Sequence, residues 1–316
     1  MIRRALGNTG LSLPILGFGA SPLGGVFGPT SEDEAHLAVA RALEVGINYF
    51  DVSPFYGDTL AEQVLGRALR PHARDHFLLS TKVGRYGTEF DFSTRRIRVE
   101  FERSLRRLNV DHVDMVLCHD IEFVPLAQII EEALPTLRAL VEEGKARFVG
   151  VSGLPLRIFR EVLAHTDLDF VLSYCRYSLQ NNELRTLFTL LEERGVGVIS
   201  AAPLAMGLLG GYTLPDWHPA TPLMRDCADK AAEICARNNT TLARLALQFA
   251  LREPRITSTL VGMSNPQTLQ ENLSALQATP NEELLCAVEE ALAPVHNLIW
   301  PSGLPENHDL NMEGAL

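Results

Sequence analysis

Short apolar runs alternate with longer stretches of helical period along the whole chain, and this alternation constrains the fold more than any other feature. The runs Ile15–Gly19, Asn48–Val52, Phe77–Thr81, Val113–Cys118, Ala146–Val151, Phe170–Ser173, Gly197–Ala201 and Ser258–Gly262 have strand length and strand composition. Between them lie helix-like stretches near 32–45, 61–70, 94–108, 126–143, 155–165, 182–194, 224–251 and 266–276. Their starts carry physical signals: Ser31 precedes three acids, and Ser93-Thr94 precedes an Ile97/Phe101/Leu105/Leu108 stripe. Gly144 and Gly195 stand just past two helix ends, where a left-handed residue is needed. Repeated strand–helix units of about 30–40 residues predict a (β/α)8 TIM barrel, an α/β fold of one domain. No Pro/Gly/Ser-rich linker divides residues 1–316, and the tail from about 295 to 316 is expected to pack near the active-site face.

A doubly wound sheet is the competing architecture, and its usual mark is missing. Gly17-Phe18-Gly19 begins like a dinucleotide fingerprint, but Pro22 stands where the third glycine belongs and no helix opens there. The stretch reads as a strand end. A barrel places chemistry at the carboxyl ends of several strands at once. At three successive strand ends stand Asp51 with Tyr56, then Lys82, then His119. An ammonium beside a tyrosine oxygen favours phenolate, and a carboxylate beside the ammonium keeps it charged. A neutral histidine can hold a substrate oxygen. Such a set moves a proton to or from a hydroxyl or carbonyl oxygen, while a hydride carrier supplies the other half of the reaction.

Charge and cysteine usage exclude other classes. The net charge of −11 leaves no basic excess for nucleic acid or an anionic membrane. No apolar stretch reaches the length of a spanning helix, and no apolar core follows the basic start MIRRALGNTG. Five cysteines without a CxxC pair read as reduced thiols, so a cytoplasmic protein is expected. The histidines are scattered, with no HExxH or Cys/His cluster, so no metal is expected.

The stretches Phe-Asp-Val-Ser-Pro-Phe-Tyr-Gly (50–57), Glu62 with Leu65-Gly66, Ser-Thr-Lys-Val (80–83) and Val-Leu-Cys-His (116–119) resemble the signature of the aldo-keto reductase family. The resemblance implies that Tyr56 is the proton donor or acceptor, Lys82 its tuner, Asp51 the partner of Lys82, and His119 the substrate-orienting residue. It spans nearly the whole chain. Further stretches, among them 4–11, 19–24, Cys-His-Asp-Ile-Glu-Phe (118–123), 172–175, 202–209 and Trp-Pro-Ser-Gly (300–303), resemble the branch of that family that oxidises L-galactose at C1 to its lactone.

That resemblance also implies a nicotinamide dinucleotide over the barrel mouth, held by Ala20, Ser21, Ser152, Gly153, Tyr174, Ala202, Leu204, Gly207, Leu208, Gly262, Met263, Ser264, Thr268, Glu271 and Asn272. The chain departs from the broader family pattern where Gly153 replaces an asparagine, Tyr174 a glutamine and Ala201 an aromatic. Relatives preferring NADPH carry a lysine and an arginine at the positions of Gly262 and Thr268, to pair with the 2′-phosphate. Without those cations, NAD is the expected cofactor. Trp217, beside His218, and Trp300 are candidate walls for a sugar ring, with Tyr86, Phe123 and Phe27 as further candidates. The expected partner is a small-molecule sugar, and the expected assembly a monomer or weak homo-oligomer. Competing functions are an NADPH-consuming aldehyde reductase, an aldose dehydrogenase acting on L-fucose or D-arabinose, and a nucleotide-binding barrel that regulates a partner without catalysis.

Overall fold

The computed structural model describes residues 1–26, 28–211, 213–277 and 279–309. Eight parallel strands close into a barrel: β1 (Leu16–Gly19), β2 (Tyr49–Asp51), β3 (Leu78–Val83), β4 (Met115–Cys118), β5 (Phe148–Gly153), β6 (Phe170–Tyr174), β7 (Gly197–Ala201) and β8 (Ser258–Gly262). Each pairs with its neighbour in sequence, and β8 returns to β1 through the register Leu260↔Gly17 and Gly262↔Gly19. The (β/α)8 expectation is therefore met.

Helices α1 (Glu32–Glu44), α2 (Leu60–Leu69), α3 (Thr94–Leu108), α4 (126–142, with a π-helical turn over Ile129–Ala133), α5 (Leu156–His165), α6 (Phe188–Glu193), α7 (Pro222–Arg237), α8 (Leu242–Arg252), α9 (Pro266–Ala275) and α10 (Glu282–Leu292) follow in chain order. The Ser31 and Ser93 side chains cap α1 and α3, accepting from the Glu34 and Arg96 amides as the sequence predicts. One expected helix, 224–251, is broken in two. Asn239 takes a left-handed φ of 55°, and Thr241 then caps α8 through the Arg244 amide.

Side chains alternate across each strand. Tyr49, Met115, Leu117, Phe170, Leu172, Ile199 and Leu260 turn inward and fill the barrel interior as one apolar cluster. Leu6, Leu11 and Leu13 join that cluster from an N-terminal hairpin, Arg3–Ala5 with Ser12–Pro14, which plugs the amino-terminal end. The same parity puts Asp51, Lys82, Ser152, Tyr174, Ala201 and Gly262 on the inward positions nearest the carboxyl ends. Gly17 belongs to this interior, because a Cβ there would lie 2.8 Å from a Leu260 methyl and 3.0 Å from the Tyr49 ring. The glycines that resemble a phosphate loop serve barrel packing instead.

Beyond α10, the chain crosses the carboxyl-terminal face. Asp309 accepts from the amides of Leu156 (3.2 Å) and Arg157 (2.8 Å), so it caps α5 from a distant part of the sequence. It also pairs with the buried Arg176 at 2.9 Å. Residues 310–316 of the expected tail lie outside the described residues. Among the described residues no helix is long and apolar enough to cross a membrane.

Candidate active site

Strand β3 runs two residues further than its sequence pattern predicts, so Lys82 is an inward strand residue and not a loop residue. Its ammonium donates to Asp51 Oδ2 at 2.6 Å and to the Val52 carbonyl at 3.0 Å. Ser80 Oγ donates to Asp51 Oδ1 at 2.7 Å and fixes the carboxylate from its other side. The Tyr56 ring centre lies 4.9 Å from Lys82 Nζ and 5.6 Å from the His119 ring, which it meets edge-on. His119 follows β4, and its Nδ1 lies 2.9 Å from Ser53 Oγ. The structure thus brings Asp51, Tyr56, Lys82 and His119 into one cluster at the barrel mouth.

Glycine makes the placement of Tyr56 possible. Gly57 has φ 61°, and a Cβ on it would lie 2.0 Å from the Gly24 carbonyl oxygen. The turn at Ser21–Gly24 therefore packs backbone to backbone against Tyr56 and Gly57.

Electrostatics in the cluster follow from burial and neighbours. Burial opposes a charge on Lys82, but Asp51 and Tyr56 more than offset it and hold the ammonium above its ordinary value. For Tyr56 the balance differs from the sequence expectation. Burial pushes its hydroxyl up, Lys82 pulls it down, and Asp51 and Asp120 push it up again, so the net direction in the free protein is upward. Lys82 limits that rise without reversing it, because the site is dry. His119 is driven well below the ordinary histidine range by burial and by the cations Lys82 and Arg85, which makes it a neutral hydrogen-bonding group.

Several residues of the mouth carry no isolated signal in the sequence. Arg85 spreads over the Phe55 ring at 3.6 Å and bonds Asp120, while Phe55 meets His119 edge-on at 5.8 Å. Phe123 stacks on Phe90 at 4.4 Å, with the Arg85 guanidinium 5.7 Å from its ring centre. It thus lies in the same aromatic wall. Tyr86 lies under the Arg96 guanidinium of α3 at 4.9 Å. Trp217 stacks on His218 at 6.0 Å, and His218 meets Trp300 edge-on at 5.5 Å, so the β7–α7 loop and the tail share one wall. Phe27 lies outside the described residues.

The residues expected to hold a dinucleotide occupy the other side of the mouth. There the strand ends carry little: Ser152 and Gly153 on β5, Ala201 and Ala202 at β7, Gly262 on β8, and Ala20 with Ser21 after β1. Gly262 is exposed, and a Cβ on it would meet only the Pro22 ring. This leaves a strand-end surface made largely of backbone and small side chains. Ala202, Ala205 and Met206 all take left-handed backbone within one turn, beside Leu204, Gly207 and Leu208. Met263 is buried, and its amide donates to the Gly19 carbonyl at 3.2 Å. Thr268 is engaged in a capping box with Asn265 at the start of α9, and Ser264 donates weakly to its hydroxyl. Glu271 accepts from Gln267 at 2.9 Å, and Asn272 donates to the Gly262 carbonyl at 3.4 Å.

Glu122 is buried behind this surface, in the loop after β4. Burial, and then Asp120, push its carboxyl up to about 8. The acidic stretch His-Asp-Ile-Glu just past a strand end was the available signal for Asp120 and Glu122.

Residues 15–293 match the Aldo/keto reductase family. The chain is 47% identical over 313 residues to L-galactose dehydrogenase of Arabidopsis thaliana, covering 96% of this chain and 98% of that protein. It is 33% identical to D-arabinose 1-dehydrogenase of Saccharomyces cerevisiae, over 84% of this chain and 87% of that protein. An aldo-keto reductase from Bacillus halodurans, solved in its holo form, superposes with a TM-score of 0.79 at 28% identity, covering 95% of this chain and 98% of that one.

Proposed function

The chain belongs to the aldo/keto reductase family, and from that premise we propose that it is an NAD-dependent dehydrogenase that oxidises L-galactose at C1 to the galactonolactone. The observation that carries the chemistry is the position of Lys82, 2.6 Å from Asp51 and 4.9 Å from the Tyr56 ring centre. The similarity to the Arabidopsis enzyme carries the sugar.

A bound nicotinamide dinucleotide supplies the acceptor for the hydrogen and electron pair that leave C1. The strand-end surface of Ser152, Gly153, Ala202, Gly262 and Ala20 would hold it, with the amino-terminal end of α9 beside its phosphates. No lysine or arginine occurs between Gly262 and Asn272, and Glu271 adds a negative charge there. This stretch offers no partner for a 2′-phosphate, which favours NAD over NADP.

Tyr56, as the phenolate that Lys82 stabilises, accepts the hydroxyl proton of C1 and becomes the neutral phenol as the hydride leaves C1. Asp51 keeps Lys82 charged and aimed. Neutral His119 orients the sugar oxygen through Nε2, with Nδ1 held by Ser53. Phe55, Phe123, Trp217 and Trp300 offer apolar faces to a sugar ring. The protein acts as a monomer or weak homo-oligomer in the cytoplasm, its chain forming one domain.

Replacing Tyr56 by Phe tests the assignment. NAD binding should persist while kcat falls by about 10²–10⁴-fold; an unchanged kcat would refute the role. A second reading, oxidation of another aldose such as D-arabinose or L-fucose, draws on the likeness to the yeast enzyme. Competition between sugars separates the two.

A further inference from the structure

Glu122 joins three parts of the chain at the mouth. Its Oε1 accepts from the Leu154 amide at 3.1 Å, the Tyr174 hydroxyl at 3.2 Å and Ser302 Oγ at 3.0 Å. Its backbone carbonyl accepts from the Leu304 amide at 2.8 Å and from Asn307 Nδ2 at 2.9 Å. Gly303 packs so tightly here that a Cβ on it would lie 2.2 Å from that carbonyl oxygen. The tail from Ser302 to Asn307 is therefore latched largely to one residue.

The other carboxyl oxygen, Oε2, is buried and has no hydrogen-bond partner. It occupies the space that Gly153 leaves: a Cβ on Gly153 would lie 2.6 Å from Oε2 and 2.2 Å from the Ile158 methyl. One wall around Oε2 is therefore apolar.

We propose that Glu122 is a positioning residue that works as a neutral acid, its proton on Oε2, and that loss of this proton loosens segment 300–307 together with the aromatic wall it carries. The charges around Glu122 support this. Its own loop contributes Asp120, a like charge whose ion-pair partner, Arg85, is engaged with it and makes no ion pair with Glu122. Strand β6 and its end contribute Tyr174, Cys175 and Arg176, and the Arg176 guanidinium is already taken by Glu183 at 2.7 Å and Asp309 at 2.9 Å. The tail contributes Glu306, His308 and Asp309, and the start of α5 contributes Arg157. Among the described residues Glu122 forms no ion pair. A carboxylate here would be buried beside a like charge without a cation, which is costly. The upward push on its carboxyl, to about 8, has this cause. A loosened tail lets water reach the carboxylate and returns it to the ordinary range. The latched form thus binds the extra proton, and latching weakens as pH rises toward about 8.

Trp300 and Trp217 are the two tryptophans of the chain, and both belong to the wall that the tail completes through His218. Intrinsic fluorescence of the free protein therefore reads the latch directly. The measurement needs no sugar and no turnover, so its outcome is independent of the proposed substrate.

The test is tryptophan emission between about pH 6.5 and 9, for the natural protein and for Glu122→Gln. His218 is pushed below the ordinary histidine range by burial and titrates under this window. The expected result is a one-proton transition in the natural protein that is missing in E122Q. A transition of equal size in E122Q, or none in the natural protein, would overturn the proposal. A second measurement needs no variant: hydrogen exchange at the Leu304 amide, corrected for intrinsic rate. Its protection should fall at least about tenfold across the same window while β-strand amides keep theirs. Constant protection at Leu304 would equally overturn the proposal.

Discussion

Lys82 Nζ lies 2.6 Å from Asp51 Oδ2, and both side chains are shut away from solvent at the top of the barrel interior. Neither charge is tolerable there without the other. Lys82 also donates to the Val52 carbonyl and Asp51 accepts from Ser80, so the pair is hydrogen-bonded on both sides.

Removing one partner should therefore destabilise more than removing both. Asp51→Asn and Lys82→Met should each cost about 3–5 kcal/mol, because each strands a buried charge. The double variant should cost less than either single variant. Urea unfolding of the four proteins at pH 7 measures the coupling, and additive losses would show that the pair does not act as a unit.

The Tyr56 hydroxyl is pushed upward by burial, and the proposed oxidation needs it as a base. The rate of oxidation should therefore rise with pH through the neutral and alkaline range, because deprotonation creates the working form. A kcat profile that is flat from about pH 7 to 10 would contradict this assignment.

His119 behaves oppositely toward acid. Its folded-state pKa lies well below the ordinary value. Below about pH 6.5 the unfolded chain binds a proton there that the folded chain refuses. Its contribution to stability is thus present above that pH and is lost as pH falls, by about 1.4 kcal/mol per unit. The His119→Asn variant should lose less stability than the natural protein between pH 7 and 5.5, which paired urea titrations would show.

Much of this site is legible because Asp51, Tyr56, Lys82 and His119 stand at successive strand ends, in stretches that resemble a family signature. That Lys82 lies within its strand, two residues after Ser80 and on the same face, is seen only in the structure. The repeat of strand and helix was equally plain, and it sufficed for the barrel. Pairings set by tertiary approach were not legible. Arg85 and Asp120 are 35 positions apart and meet because the short hairpin Arg85–Tyr86 with Glu89–Phe90, after β3, lies against the loop after β4. Ser302 reaches Glu122 across 180 positions. The amino-terminal plug is not legible in the sequence because its strands are three residues each, too short to show a period. The upward net shift of Tyr56 was hidden as well, since residue types reveal the charges near a group but not how dry the site is.

Gly153 offers a check on the packing behind the proposed cofactor surface. A methyl group there would meet Ile158 at 2.2 Å and Glu122 Oε2 at 2.6 Å. Gly153→Ala should cost about 1–3 kcal/mol through overpacking, read as a lowered Tm. An unchanged Tm would mean that Ile158 and Glu122 yield freely.

The most direct test of the account is kcat/KM for L-galactose with NAD, measured beside NADP and beside D-arabinose and L-fucose. L-Galactose with NAD should give the highest value, at least about tenfold above the same sugar with NADP, in keeping with a 2′-phosphate that lacks a paired cation, worth about 1.4 kcal/mol. Equal or higher efficiency with NADP, or no NADH formed from L-galactose, would contradict it.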